Sequence, residues 1–163
     1  MGVGKSTIGK RLAHRLGLPF VDSDEEIETS ASYTIPEIFA RFGEESFRDG
    51  ERRVIARLVE GSPRVIATGG GAFMNPDTRA LIMEKCIAVW LDADVEVLAE
   101  RVGRRDNRPL LRGKDPAVVL RELAATRNPR YAEAHIHIRS NPMPHDRAVG
   151  QIIEALKDWQ PGG

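Results

Sequence analysis

Met1-Gly2-Val3-Gly4-Lys5-Ser6-Thr7 is most of a phosphate-binding loop. The full pattern is G-x-x-x-x-G-K-[ST]. Gly4-Lys5-Ser6 supplies its end, and the opening glycine falls two residues before Met1. Phosphates carry dense negative charge and need many donors nearby. Glycines let backbone N–H groups approach with no Cβ in the way. The lysine reaches the β/γ-phosphates and the Ser/Thr hydroxyl serves Mg²⁺. A helix that starts at the loop adds its positive N-terminal end. The run from Ser6 to Leu16 fits such a helix, because Ile8, Leu12, Ala13 and Leu16 recur at helical spacing. On the motif alone, a glycine-rich N-terminus before an ordinary amphipathic helix stands as the other reading.

The motif also decides the fold class, since the loop is fed by a β-strand. Short apolar runs alternate with helical patterns along the chain. Leu18 to Val21, Val65 to Ala67, Ile87 to Leu91 and Ile136 to Ile138 read as strands. Thr34-x-x-Glu37 is a capping box ahead of Ile38 and Phe39. Asn75-Pro76 and Asp115-Pro116 place a cap residue before a first-turn proline. Asp94 and Asp146 are further expected caps. Continuous apolar strands separated by helices predict an α/β fold with a parallel sheet covered on both faces. The strand ahead of the loop is expected in the middle of that sheet. Its loss would leave two unpaired edges and a gap in the core. The natural product is therefore expected to start upstream, with Met1 an internal methionine or a mis-assigned start.

Bulk composition narrows the function classes. The 163 residues suffice for one domain with a real core, assigned to residues 1–159, with Gln160-Pro161-Gly162-Gly163 as a disordered tail. Lys and Arg total 24 and Asp and Glu total 24. That balance gives no field for nucleic acid or an anionic membrane surface. The single cysteine, Cys86, excludes an internal disulfide, suits a reducing cytosol and reads as a small core side chain. No apolar run approaches the ~20 residues of a membrane span.

Several other stretches can carry chemistry, each with an ordinary alternative. Asp22-Ser23-Asp24 follows a strand, where ligand sites of α/β proteins collect. One carboxylate could face a metal and one could take a proton from a hydroxyl. Alternatively, Asp22 or Ser23 simply caps the next helix. Arg48 could grip a carboxylate or phosphate, held by Glu51 three residues on; an exposed ion pair is the alternative. Gly69-Gly70-Gly71 suits close approach of a ligand to the backbone, or a flexible turn. Residues 101–114, rich in arginine, read as a phosphate-covering lid or a solvated loop. Arg127-Asn128-Pro129-Arg130-Tyr131 ends a helix, where a cation is also expected for the dipole alone. His135 and His137 are expected to alternate on a strand, without partners at metal-ligand spacing. His14 and His145 read as surface residues.

Taken together, these residues resemble the shikimate kinases. The resemblance runs over essentially the whole chain in order. It covers Gly-Val-Gly-Lys-Ser-Thr at 2–7, Asp-Ser-Asp at 22–24, Gly-Glu-x-x-Phe-Arg at 43–48 and Gly-Gly-Gly at 69–71. Arg-Pro-Leu-Leu at 108–111 and Arg-x-Pro-x-Tyr at 127–131 continue it. It implies a three-layer α/β/α P-loop kinase with a central parallel sheet, five-stranded in the family and without its first strand here. A substrate-binding segment at about 23–51 and a lid at about 101–114 complete that fold. The implied reaction moves the ATP γ-phosphate to the 3-hydroxyl of shikimate, in chorismate and aromatic amino acid biosynthesis.

The roles follow residue by residue from the resemblance. Lys5 and the loop residues Gly2, Val3, Gly4, Ser6 and Thr7 hold the nucleotide phosphates. Ser6 and Asp22 serve Mg²⁺. Asp24 contacts the reacting hydroxyl as base. Arg48 and Arg127 pair with the substrate carboxylate, and Gly69, Gly70 and Gly71 contact its ring hydroxyls. Arg108 comes from the lid onto the transferring phosphate, and Asn141 with Pro142 lies at the adenine. A cytoplasmic monomer is the expected state, with ATP and shikimate as partners and neither nucleic acid nor membrane. Two rivals are a gluconate-type small-molecule kinase and an inactive or weakly ATP-binding fragment. A GTP-binding switch would want an Asn-Lys-x-Asp motif, which the sequence lacks.

Overall fold

Ile8, Leu12 and Ala13 fall on one side of the first helix, and all three are buried. The computed structural model describes residues 5–92, 116–139 and 144–159. It contains, in order, helix α1 (Lys5–Leu16), strand β1 (Phe20–Asp22), α2 (Ser23–Ala31) and α3 (Ile35–Leu58). Strand β2 (Val65–Ala67), a 3₁₀ turn (Ala72–Met74), α4 (Pro76–Lys85) and β3 (Val89–Asp92) follow. Helix α5 (Pro116–Tyr131), β4 (Ile136–Arg139) and α6 (His145–Asp158) close the series. Gly2, Val3, Gly4, Asp94, the lid at 101–114 with Arg108, Asp115, Asn141, Pro142 and the tail at 160–163 lie outside the described residues.

Local signals set most boundaries. Helix α1 stops at Gly17, whose φ of +68° is a conformation glycine adopts without strain. Leu18 N–H then bonds back to the Ala13 carbonyl at 2.9 Å, the Schellman arrangement. Leu18 is therefore spent on closing the helix, and β1 begins at Phe20 rather than at Leu18. The Thr34–Glu37 capping box forms at the start of α3, and Asn75 caps α4 by accepting from Asp77 N and Thr78 N. Asp146 is not a cap: it sits inside the first turn of α6, behind Pro144, and pairs with Arg11 at 2.8 Å. Strand β3 starts at Val89, not Ile87, because Ala88 N–H is given to His135 Nδ1 at 2.9 Å. His135 consequently precedes β4, and only His137 lies on that strand.

All strand pairing is parallel. Phe20 pairs with Val65 and Asp22 with Ala67 in one register; Val89 pairs with Ile136 and Asp92 with Arg139 in the other. Helices α1 and α6 cover one face, with Ile8, Leu12, Ile136, Ile138, Val149 and Ile152 in a single buried cluster. On the other face, α2 and α3 pack Ile27, Ile38, Phe47 and Leu58 against Val21 and Ile66. Helices α3 and α4 extend that layer through Ile55 and Ile82. Alternation along β2 matches: Val65 joins the first cluster and Ile66 the second. The result is the three-layer α/β/α arrangement that alternating strands and helices predict.

The two strand pairs are not joined to each other among the described residues. A cavity of about 670 Å³ lies between them, lined on one side by Val65 and Ala67 and on the other by Val89 and Leu91. All residues of β2 and β3 are only half-buried, although most are apolar. This slot is where the sequence predicts one further strand, and Lys5 lines it. Paired edges and buried apolar side chains each stabilise a fold, the latter by about 1.5–3 kcal/mol per large aliphatic side chain. Fusing an extended apolar strand of about five residues and the loop glycine ahead of Met1 is expected to raise Tm by roughly 5–10 °C. An unchanged Tm by calorimetry would show that the slot does not accept a strand.

Candidate active site

Asp22 is both a helix cap and a site residue. Its Oδ1 accepts the Asp24 N–H at 2.9 Å, which starts α2. Its Oδ2 accepts the Ser6 hydroxyl at 3.1 Å. One oxygen of the carboxylate thus does the capping and the other meets Ser6. Asp22 and Ser6 place two hard oxygen donors side by side at the start of α1. That set suits Mg²⁺, which keeps several waters and takes one or two protein oxygens plus phosphate. Lys5 Nζ donates to the Thr68 carbonyl at 2.7 Å, at the end of β2. Thr7 is exposed on the first turn of α1.

Asp24 lies one residue into α2 and turns toward the end of β2. Burial raises its pKa above the ordinary carboxylate value, and the nearby charges of Asp22 and Glu28 push the same way. Lys5 and Arg48 oppose them without reversing the direction. A raised carboxyl pKa makes Asp24 a better proton acceptor than an ordinary carboxylate.

The three glycines after Thr68 carry these groups. A Cβ on Gly69 would sit 3.0 Å from Asp24 Oδ1. On Gly70 it would sit 2.7 Å from Arg127 Nη1, and on Gly71 2.6 Å from Arg48 Cζ. None of the three has a positive φ. The requirement for glycine is therefore steric, and the space is filled by this chain's own side chains. The sequence suggested close approach of a ligand or a flexible turn. The structure shows a backbone ribbon on which Asp24, Arg127 and Arg48 are laid in order.

Arg48 is held from behind. Gly43 breaks α3 with φ +85°, ψ 170°, and the helix restarts with Arg48 in its second turn. Glu51 Oε1 accepts from Arg48 Nη1 at 2.8 Å. The Glu51 side chain is 1% exposed, so this is a buried pair and not the exposed one that i,i+3 spacing alone suggests. Burial raises the Glu51 pKa, against the opposing pull of Arg48. The Arg48 guanidinium also lies 5.1 Å from the Phe47 ring. Arg127 comes from the far side, on the last turns of α5, and is half-buried. Tyr131, one helical turn later, donates its hydroxyl to the Gly70 carbonyl. The i,i+4 spacing of Arg127 and Tyr131 was the available signal for that contact.

Among the described residues, Lys5, Ser6, Asp22, Asp24, Arg48, Gly69, Gly70, Gly71 and Arg127 thus gather where β1 and β2 end. No helix among them is long and apolar enough to cross a membrane. His137 stays apart, stacked on Trp90 at 4.2 Å and bonded to Asp92 at 3.0 Å.

Comparison with known proteins identifies the chain's relatives. A family model described as shikimate kinase matches residues 1–157. The chain is 62% identical over 157 residues to a shikimate kinase of Caulobacter vibrioides, covering 96% of this chain and 78% of that one. It is 55% identical over 163 residues to a shikimate kinase of Novosphingobium aromaticivorans, covering 98% and 84%. Among solved structures, a shikimate kinase from Acinetobacter baumannii in complex with shikimate superposes with TM-score 0.92 at 39% identity, covering 97% and 89%. A gluconokinase from Sinorhizobium meliloti superposes with TM-score 0.64 at 21% identity, covering 97% and 87%, a likeness of fold alone. By sequence along nearly its whole length, the chain belongs to the shikimate kinase family.

Proposed function

We propose that this chain transfers the γ-phosphate of ATP to the 3-hydroxyl of shikimate, giving shikimate 3-phosphate and ADP. The observation that carries the reading is the ribbon at 69–71. It holds one carboxylate, Asp24, and two guanidiniums, Arg127 and Arg48, along one short line. That set matches a substrate with a hydroxyl to deprotonate and a carboxylate to bind.

In this mechanism Arg48 and Arg127 bind the planar carboxylate, and Glu51 keeps Arg48 aimed. Backbone groups of Gly69, Gly70 and Gly71 face the ring hydroxyls. Asp24 accepts the proton of the 3-hydroxyl as its oxygen bonds to the γ-phosphorus. The bond to the β-phosphate oxygen breaks, and ADP leaves with the electron pair. Little covalent chemistry is asked of the protein; positioning and charge neutralisation do the catalysis. Lys5 and the loop residues Gly2, Val3, Gly4 and Thr7 hold the phosphates, with Arg108 from the lid and Asn141 at the adenine. Ser6 and Asp22 would hold Mg²⁺, which neutralises the β/γ-phosphate oxygens when bound with ATP. The lone Cys86 supports a reducing, cytoplasmic setting, and a monomer is the default state.

The direct test is ADP release from Mg-ATP, measured with shikimate and with gluconate. Release dependent on shikimate alone is the expected result; release with gluconate alone overturns the reading.

Asp24 has a second, opposite consequence. Folded, it holds its proton to higher pH than when unfolded, so ionising it lowers stability as pH rises through that interval. Asp24→Asn removes that cost. The variant is expected to lose at least about 100-fold in kcat while its Tm at neutral pH equals or exceeds that of the wild type. Retained turnover would remove Asp24 as the base. For the wild type, kcat/KM should fall with acidification along a limb displaced upward from the ordinary carboxylate pKa. Arg127→Ala is expected to raise KM for shikimate by roughly 10–100-fold, the loss of a charged hydrogen bond, with KM for ATP unchanged. An unaltered KM for shikimate would take Arg127 out of the carboxylate site.

A further inference from the structure

Tyr131 ends α5 with no part in the chemistry above. Its hydroxyl donates to the Gly70 carbonyl, and the same oxygen lies 3.3 Å from where a Gly70 Cβ would be. Arg127 Nη1 is the other group at that point. The turn itself uses the neighbouring carbonyls: Ala72 N–H bonds to Gly69 and Met74 N–H to Gly71. Tyr131 thus takes the carbonyl between them. Its ring is set by Trp90 at 5.8 Å and Phe73 at 6.4 Å between centroids. Burial pushes the phenol pKa up despite the nearby Arg127 and Arg48, so it remains a neutral donor.

A ribbon of three glycines is conformationally soft, and ordering it costs more backbone entropy than any other sequence. Asp24 and both arginines rest on it, so its position sets theirs. We propose that Tyr131 is a positioning residue for the carboxylate end of the substrate site: its hydroxyl fixes the Gly70 peptide and thereby the seat of Arg127. The choice of shikimate as the substrate rests on the function proposed above; the positioning of the ribbon does not.

Tyr131→Phe keeps the ring and removes the donor. Two measurements on the full chain then decide. In hydrogen exchange, the Ala72 and Met74 amides should exchange about tenfold faster, while Val149 and Ile152 in α6 keep their rates. In steady-state kinetics, KM for shikimate should rise about five- to tenfold, with kcat and KM for ATP within about twofold, the size of one neutral hydrogen bond. Unchanged exchange at Ala72 and Met74 overturns the proposal, as does equal acceleration in α6, which marks a general packing role. Faster exchange with unchanged KM for shikimate overturns the link to the carboxylate site. If the wild type shows no shikimate-dependent turnover, the function proposed above fails by itself, and hydrogen exchange still decides the role of Tyr131.

Discussion

The absence of three Cβ atoms is the constraint on which the site depends. Asp24 comes from α2, Arg48 from α3 and Arg127 from α5, and these helices reach the end of β2 from different directions. They converge only because residues 69–71 leave room for them. With one methyl group on Gly71, a buried residue, the Arg48 guanidinium would have to move, and with it the Glu51 contact. Close packing resists such shifts, since interiors have few voids to absorb them. The ribbon is thus a template for charge, and its lack of side chains is its function.

Placing charge there works against stability. Glu51 is almost fully buried, and its main offset is the Arg48 guanidinium it orients, with a smaller pull from Arg127. A buried ion pair seldom gains over an apolar pair of the same shape, because desolvation of both charges must be offset first. Asp24 is disfavoured as an anion by burial and by two neighbouring carboxylates. A fold selected for stability alone would hold neither carboxylate. Their presence next to two guanidiniums makes sense for a site proposed to hold a carboxylate and to keep a proton acceptor with a raised pKa. In the proposed reaction, substrate binding would supply the negative charge that Arg48 and Arg127 face.

Most of the fold was legible because its signals are local. The phosphate loop predicted α1, the capping box predicted the start of α3, and Asn75-Pro76 predicted α4. Boundaries failed where a backbone group had a partner distant in sequence or an end of its own to close. Leu18 closes a helix, and Ala88 donates to a histidine 47 residues away. Asp146 looked like a cap, but Pro144 occupies that position and Asp146 pairs across to Arg11. In the site, residue identities were legible as motifs while burial was not. The i,i+3 spacing of Arg48 and Glu51 by itself favours a surface pair over a buried one. Only the packing of α3 against the sheet separates them. Likewise, three glycines announce a need for space, but not whether a ligand or a side chain fills it.

The slot between the two strand pairs connects these themes. Lys5 and Gly69 both line it, so the start of α1 and the ribbon share one wall. Lys5 is bonded to Thr68, the residue just before the ribbon, and Ser6 is bonded to Asp22, two residues before Asp24, the proposed base. The start of α1 is therefore joined to the ends of β1 and β2 by direct side-chain contacts, one or two residues from Gly69 and Asp24. Across the slot, β3 and β4 are tied to α1 through the cluster of Ile8, Leu12 and Ile136, and to α5 by the contact of Trp90 with Tyr131. The packing around the slot therefore bears on where Lys5, Asp24 and Arg127 sit relative to one another. In-line phosphoryl transfer tolerates little error in the distance between nucleotide and acceptor. The packing of the sheet is, for this reason, part of the geometry of the reaction.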